Sequence, residues 1–594
     1  MLLTRDLASP DHGPPAITGE AERTGPGIML GHVRDYGERP YLHYVIGGAW
    51  QQLSWAEFGR CSLRVAAALV NAGVRAGDRV VLLAENRPEW LYTDLAIQVA
   101  GAVTVPIYPT STAATVRHIV RGAAAKLAVT SGADLAAKLE LEDPLRRVVL
   151  MDEVAVWAAT PLDPAAFTEL ERRLNALRPG TLATVIYTSG TTGAPKGVML
   201  AQRNLVEMAA HALEVFNLGP NDQILSYLPY SHVMERVDGV FVPSMAGASI
   251  WLSRGIDHLA EDIVDVRPTV MLGVPRVFEK AFDAVHDQVR RQPTWKRALF
   301  RVAVDQGRRR LSDHSGNSPG LLLRILDRLV LNAVRERVSG GRLRFFISGG
   351  APLSEQVEEF FWAVGVKILQ GWGLTESTAA VSSNTETAHR YRTVGRALPG
   401  TEVIAAEDGE LLVRGPAVMV GYLNDPTATA EALAGAWLHT GDIGAIDPSG
   451  FITITDRKKD VIKTAGGKYV APQPIEARLS AHRFVAATLV IGDQRPYAVA
   501  LIVPDWAGLA ADGLFTGDPA LLAQDERVHA FFQSWVDECN SGLATFETIK
   551  RFALLSQDFS EEAGELTPTL KPKRRLITEH HRELIDGLYM AARV

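Results

Sequence analysis

Runs of apolar residues alternate with amphipathic segments along most of this chain, and the spacing predicts a layered α/β protein. Residues 79–84 (RVVLLA) predict a buried strand, and 88–99, opening on Pro88, predict a helix with proline in its first turn. Further strands are predicted at 103–108, 126–130, 147–151 and 182–188. Short, continuously apolar strands separated by helices imply a parallel sheet covered on both faces, with ligands held in loops beyond the strand carboxyl ends. The uncharged stretch 95–116 has the length of a bilayer span, but Gln98, Pro106, Pro109 and five Ser/Thr residues make it helix, strand and loop. Near 410–414 and 451–455 short strands surround turns, and the 138 residues from Arg457 onward form a domain-sized tail.

Composition narrows the class. With 61 basic and 68 acidic residues the net charge is -7, which excludes a dedicated nucleic-acid binder needing a basic surface. Two distant cysteines, Cys61 and Cys539, give neither a disulfide scaffold nor a zinc module and suit a reducing cytoplasm. Residues 1–25 predict a flexible leader without an apolar signal core. The charge is uneven, however: 281–344 carries 14 Arg/Lys against 6 Asp/Glu, a basic helical insertion. Leu and Ile recur at helical spacing over 321–334 between Arg324 and Arg328. A solvated hairpin explains this segment, and so does a peripheral contact with an anionic membrane at its inner face.

Residues 187–197 read YTSGTTGAPKG at the end of the predicted strand 182–188. Glycines allow close backbone approach, N–H groups and hydroxyls donate to phosphate oxygens, and Lys196 supplies positive charge. The string is not a Walker A loop, because Pro195 precedes the lysine and Gly197 follows it.

Further strings follow: SGGAP at 348–352, QGWGLTES at 370–377, TGD at 440–442, Asp456-Arg457, KTAGGKYVAP at 463–472 and ELTPTLKPKR at 565–574. In this order they resemble the adenylate-forming, AMP-binding superfamily of acyl-CoA synthetases, luciferases and peptide-synthetase adenylation domains. The resemblance implies an α/β fold: a large N-terminal domain (26–455) of layered, mostly parallel sheets with helices plus a β-barrel-like subdomain, a hinge at 456–460, and a small mobile α+β C-terminal domain (461–594). It implies ATP, Mg²⁺ and coenzyme A as ligands. Thr188, Ser189, Gly190, Thr191, Thr192, Gly193 and Lys196 would cradle phosphate. Gly350, Ala351, Pro352, Gln370, Gly371, Trp372 and Gly373 would wall the adenine, with Trp372 where relatives more often have tyrosine. Thr375 would donate to the α-phosphate, Glu376 and Thr188 would hold Mg²⁺, and Asp442 with Arg457 would take the ribose. Lys571 would neutralise the transition state of adenylation; Lys573, Arg574 and Arg575 read as surface charges. Lys459 and Lys463 would lie at the pivot and near the nucleotide, and the hairpin around Gly466-Gly467 would form the thiol tunnel after rotation.

LPYSHVMER at 228–236, GVPRVFEK at 273–280, the basic insertion and LTPTLK resemble the long-chain fatty acyl-CoA synthetase branch. His232 would stand between the carboxylate and CoA sites, and 239–253 either walls an acyl tunnel or is a buried helix and strand. One departure is Gln202, where relatives usually have histidine before Arg-Asn. The expected function is activation of a long-chain fatty acid to acyl-adenylate and transfer to CoA. A ligase loading an acyl carrier protein, one for another hydrophobic carboxylate, and a silent nucleotide sensor are the alternatives; a homodimer is left open.

Overall fold

The computed structural model describes residues 13–139, 144–188, 195–312, 326–567 and 571–590. The predicted strands form as Arg79–Leu83, Val103–Ile107, Leu127–Thr130, Arg147–Leu150 and Leu182–Thr188. They join a seven-stranded sheet that ends antiparallel in Lys196–Ala201 and Gly421–Tyr422. Pro88 opens the helix Pro88–Val99 as predicted, because a first-turn residue needs no amide hydrogen and proline presets φ.

A second, nine-stranded sheet carries Gln223–Ser226, Val270–Gly273, Phe345–Ser348 and Ile368–Leu374 as parallel neighbours or near neighbours at its centre. Between the two sheets runs the buried π-helix Met234–Phe241. The expected barrel-like unit is an open, antiparallel four-stranded sheet of Glu402–Ala405, Glu410–Arg414, Leu438–Ile446 and Ile452–Arg457, a half-barrel. A separate core organises the tail around the strands Val485–Ile491, Ala498–Pro504 and Ile549–Leu554.

Three expectations change in detail. Within 1–25, assigned to a flexible leader, residues 19–23 form a short helical turn anchored on the core: Ala21 and Thr24 are fully buried, and Thr24 caps helix Gly25–Tyr36 by accepting from Gly27 N–H. Asp456 and Arg457, assigned to the hinge, are the last residues of strand Ile452–Arg457, so the turn begins at Lys458. In the basic insertion, Thr294–Ser312 is a helix whose Phe300, Ala303 and Val304 join a core with Phe278 and Phe360. Gly307 lets it approach closely, since a Cβ there would lie 2.1 Å from the Ala363 carbonyl oxygen. Of the predicted helix at 321–334, residues 321–325 lie outside the described residues; the rest runs as Asp327–Leu331 and into Asn332–Ser339.

Candidate active site

The site is built where the half-barrel, the carboxyl ends of both large sheets and the tail converge. Thr188 ends one strand and Lys196 begins the next, and the two residues are paired across the ladder. The two strands that flank the glycine-rich string are thus paired where it begins and ends; Ser189, Gly190, Thr191, Thr192 and Gly193 lie outside the described residues. Lys196 directs its ammonium over the Tyr422 ring at 5.1 Å, and the Tyr422 hydroxyl donates to Glu376 Oε1 at 2.9 Å. Burial and the Glu376 carboxylate push the Tyr422 hydroxyl pKa up, so it stays protonated and keeps that donor. Tyr422 was not foreseen; its Gly-Tyr dipeptide reads as an ordinary strand fragment, and only pairing with 198–199 brings it here.

Asp442 is the electrostatic centre. Antiparallel register sets it opposite Arg457, whose Nε donates to Oδ1 at 2.6 Å, while Trp372 Nε1 donates to Oδ2 at 2.7 Å. Burial raises the Asp442 pKa, and Arg457, the Trp372 N–H and Lys571 oppose that rise. A carboxylate has about four acceptor positions, so two remain for a ligand. Trp372 was expected to offer adenine a face; its N–H edge is fixed on Asp442 as well.

Lys571 arrives from the tail. It remains accessible in the cleft, yet its surroundings depress its pKa, first by desolvation and then by repulsion from Arg457, with Asp442 opposing. Its charge also reaches His232. Burial chiefly, and Lys571 secondarily, lower the His232 pKa to about 4, leaving the ring neutral near pH 7. Its Nδ1 accepts from Met234 N–H at 3.3 Å, which assigns the ring proton to Nε2 as a donor.

The remaining candidates divide. Gly350, Ala351 and Pro352 are exposed after strand Phe345–Ser348, and Thr375 and Glu376 start the short helix Thr375–Ser377. Gly373 is required by packing, since a Cβ would meet Ala379 O at 1.6 Å; at Gly371 it would come within 3.1 Å of Ser382 O. The Gln370 side chain does not face the cleft: it accepts from Leu353 N–H and donates to buried Glu358, bracing the 350–352 wall from behind. Lys459 and Lys463 are exposed, and Lys463 lies over Tyr469 at 5.5 Å. Arg574, expected as a surface charge, instead pairs with half-buried Glu476. Gln202 is fully engaged, accepting from Gly25 N–H and donating to Gln98, so it ties the first helix to the main body. Part of the 239–253 string lines a cavity of about 60 Å³ with Trp90, Leu95 and Arg236. That is room for a few carbon atoms.

This architecture, two mixed sheets, a half-barrel and a small tail domain meeting over one cleft, is the adenylate-forming enzyme fold. Residues 31–423 match the AMP-binding enzyme family and 459–593 the AMP-binding enzyme C-terminal domain; the chain belongs to the AMP-binding enzyme family. It is 36% identical to a long-chain-fatty-acid–CoA ligase, FadD15, of Mycobacterium tuberculosis, over 97% of this chain and 98% of that one. It is 32% identical to the peroxisomal long chain acyl-CoA synthetase 6 of Arabidopsis thaliana, over 91% and 82%. Among solved structures, the A domain of a carboxylic acid reductase from Segniliparus rugosus, in complex with AMP, aligns with a TM-score of 0.72 at 22% identity, covering 98% of this chain and 97% of that one. A Mycobacterium tuberculosis fatty acyl CoA synthetase aligns at 0.63 and 21%, covering 95% and 99%.

Proposed function

We propose that this enzyme activates a long-chain fatty acid with ATP and transfers the acyl group to coenzyme A. The observation that carries the reading is Lys571, on the tail, standing in the electrostatic reach of Asp442, Arg457 and His232. In the first step the fatty carboxylate attacks the α-phosphorus and pyrophosphate leaves, giving acyl-adenylate. Two anions approach there, and a preorganised ammonium is worth most where that charge builds. Lys571 serves that purpose, Asp442 and Arg457 hold the ribose, Thr188, Lys196 and Thr375 contact phosphate, and neutral His232 donates from Nε2 toward the substrate carboxylate.

Glu376, with its carboxylate aimed by Tyr422, would hold Mg²⁺ together with Thr188, a cation of the kind held by one or two carboxylates with substrate phosphates and water. When bound it would neutralise the polyphosphate. After pyrophosphate leaves, the tail domain turns near Lys459, withdraws Lys571 and admits the CoA thiol; the thiol gives its proton to solvent, its sulfur attacks the acyl carbonyl, and AMP departs as the C–O bond to phosphate breaks. The acid's tail is apolar in this reading, because Arg236, the cation nearest the cavity, is consumed by Asp94 through bonds of 2.6 and 3.0 Å.

Helix Thr294–Ser312 supports a place of work at the inner face of an anionic membrane. It exposes Trp295 and Val302 among Lys296, Arg297, Arg301, Arg309 and Arg310, while no described helix is long and apolar enough to cross a membrane. The function is tested by palmitate-dependent exchange of pyrophosphate into ATP, followed by thioester assay with free CoA and with a holo-carrier protein. Exchange and palmitoyl-CoA are expected; thioester on the carrier alone, or no exchange with any carboxylate, overturns the reading.

A further inference from the structure

Lys571 is held in the cleft by a chain of contacts that starts on the main body. Asp456, almost fully buried at the end of strand Ile452–Arg457, is the chain neighbour of Arg457, the partner of Asp442. Its Oδ1 accepts from Arg457 N–H at 2.6 Å, and its Oδ2 reaches across the turn 458–460 to accept from Gln473 N–H at 3.1 Å. Gln473 is the second residue of helix Pro472–Ser480 in the tail, where an amide hydrogen has no partner inside the helix and a carboxylate is favoured.

The same helix carries Glu476. Its Oε1 accepts from Val490 N–H at 2.6 Å, and its Oε2 takes the guanidinium of Arg574, which also donates to Val490 O at 3.1 Å and lies 3.9 Å from Asp460. Arg574 stands three residues after Lys571. The lysine's own turn is fixed from the other side: Lys571 N–H donates to Thr567 Oγ1 at 3.0 Å, Thr567 N–H to Lys571 O at 2.9 Å, and Lys573 N–H to Glu565 O at 2.7 Å.

Helix, Glu476, Arg574 and Lys571 therefore form one unit, and Asp456 is the body's hold on it. If the tail turns about Lys459, Glu476 and Arg574 travel together, whereas the Asp456 to Gln473 bond joins parts on opposite sides of the pivot. We propose that Asp456 is a positioning residue for Lys571: it clasps the first turn of helix Pro472–Ser480 and so favours, through Glu476 and Arg574, the arrangement with the lysine in the cleft. This rests on the two-step reading above. A contact present in one arrangement and lost in the other shifts the balance between them by its own strength and leaves the chemistry of the second arrangement untouched.

The test measures both half-reactions of the full chain, pyrophosphate exchange with palmitate and thioester formation from supplied palmitoyl-adenylate and CoA. Asp456→Ala is expected to lower exchange on the order of tenfold, a size seen when a reacting group is held loosely, with thioester formation within about twofold of wild type. Asp456→Asn, which keeps one acceptor, falls between. Arg574→Met, which leaves the Asp456 clasp in place and loosens the lysine turn, shifts the same ratio, and Arg574→Lys recovers part of it. Equal loss of both half-reactions in all variants, or unchanged exchange in Asp456→Ala and Arg574→Met, overturns the inference. Lys571→Ala separates the two layers. If it keeps exchange, the two-step reading falls; if it loses exchange while Asp456→Ala does not, only the clasp falls.

Discussion

Asp94 and Asp442 each face an arginine, and they differ in what is left over. Asp94 is saturated: Oδ1 accepts from Arg236, Thr104 and Gln98 and Oδ2 from Arg236, using all of a carboxylate's roughly four acceptor positions. Arg236 gives another hydrogen bond to Thr184 and lies over Trp90, and its side chain is only 7% exposed. Among the described residues the Asp442 carboxylate is bonded to Arg457 and Trp372 alone, and its arginine is 44% exposed. A saturated pair closes a core. An unsaturated pair, buried at the acid and open at the base, has acceptor positions left, and the proposed function fills them with a ligand's donors.

The contrast breaks first if Arg236 proves expendable. Arg236→Met leaves Asp94, whose side chain is only 14% exposed, without its cation, and one-sided deletions of buried pairs cost about 3–5 kcal/mol. A urea melt should show that loss, and a cost under about 1 kcal/mol would put the Asp94 pair in the functional class. Lys571→Ala comes next, with adenylation expected to fall on the order of 10²–10³-fold, the range for deleting one preorganised donor to developing charge. The melt should be unchanged and thioester formation from supplied acyl-adenylate preserved. Asp442→Asn is smaller: it keeps the shape and removes the charge, so ATP affinity should weaken by about 1.5–3 kcal/mol, the worth of hydrogen bonds to a charged group. Binding titration with ATP checks it. A variant that melts early and binds ATP normally would make Asp442 a second Asp94.

How much of this was readable beforehand follows the same division. Strands 79–83 and 182–188 and helix 88–99 were legible because continuous apolar runs and a first-turn proline act locally. Asp442, Arg457 and Lys571 were legible only as pieces of strings, and nothing in those strings says that antiparallel register sets Arg457 against Asp442. Tyr422 and Arg574 were missed for a physical reason: each acquires its role from a partner distant in sequence, Lys196 and Glu376 for one, Glu476 for the other. Gln370 misled in the opposite sense. It belongs to a ligand-binding string, yet its amide is spent behind the wall.

The smallest expected effect concerns cations left over on the surface. Among the described residues Arg297, Arg301, Arg309 and Arg310 make no ion pair, and they surround exposed Trp295 and Val302 on one helix. Each basic residue near an anionic bilayer contributes about 1 kcal/mol, so the helix gains more from lipid phosphates than from water. Reversing two charges in Arg301→Glu with Arg309→Glu should release the enzyme from vesicles containing phosphatidylserine, while binding to neutral vesicles and activity on a soluble short acid change less than about twofold. The fold tolerates the change because both side chains point away from the face that buries Phe300 and Val304. Equal release from neutral vesicles would assign the contact to Trp295 alone, and a large loss of activity on the soluble acid would return these arginines to the class of Arg236, cations the fold has already consumed.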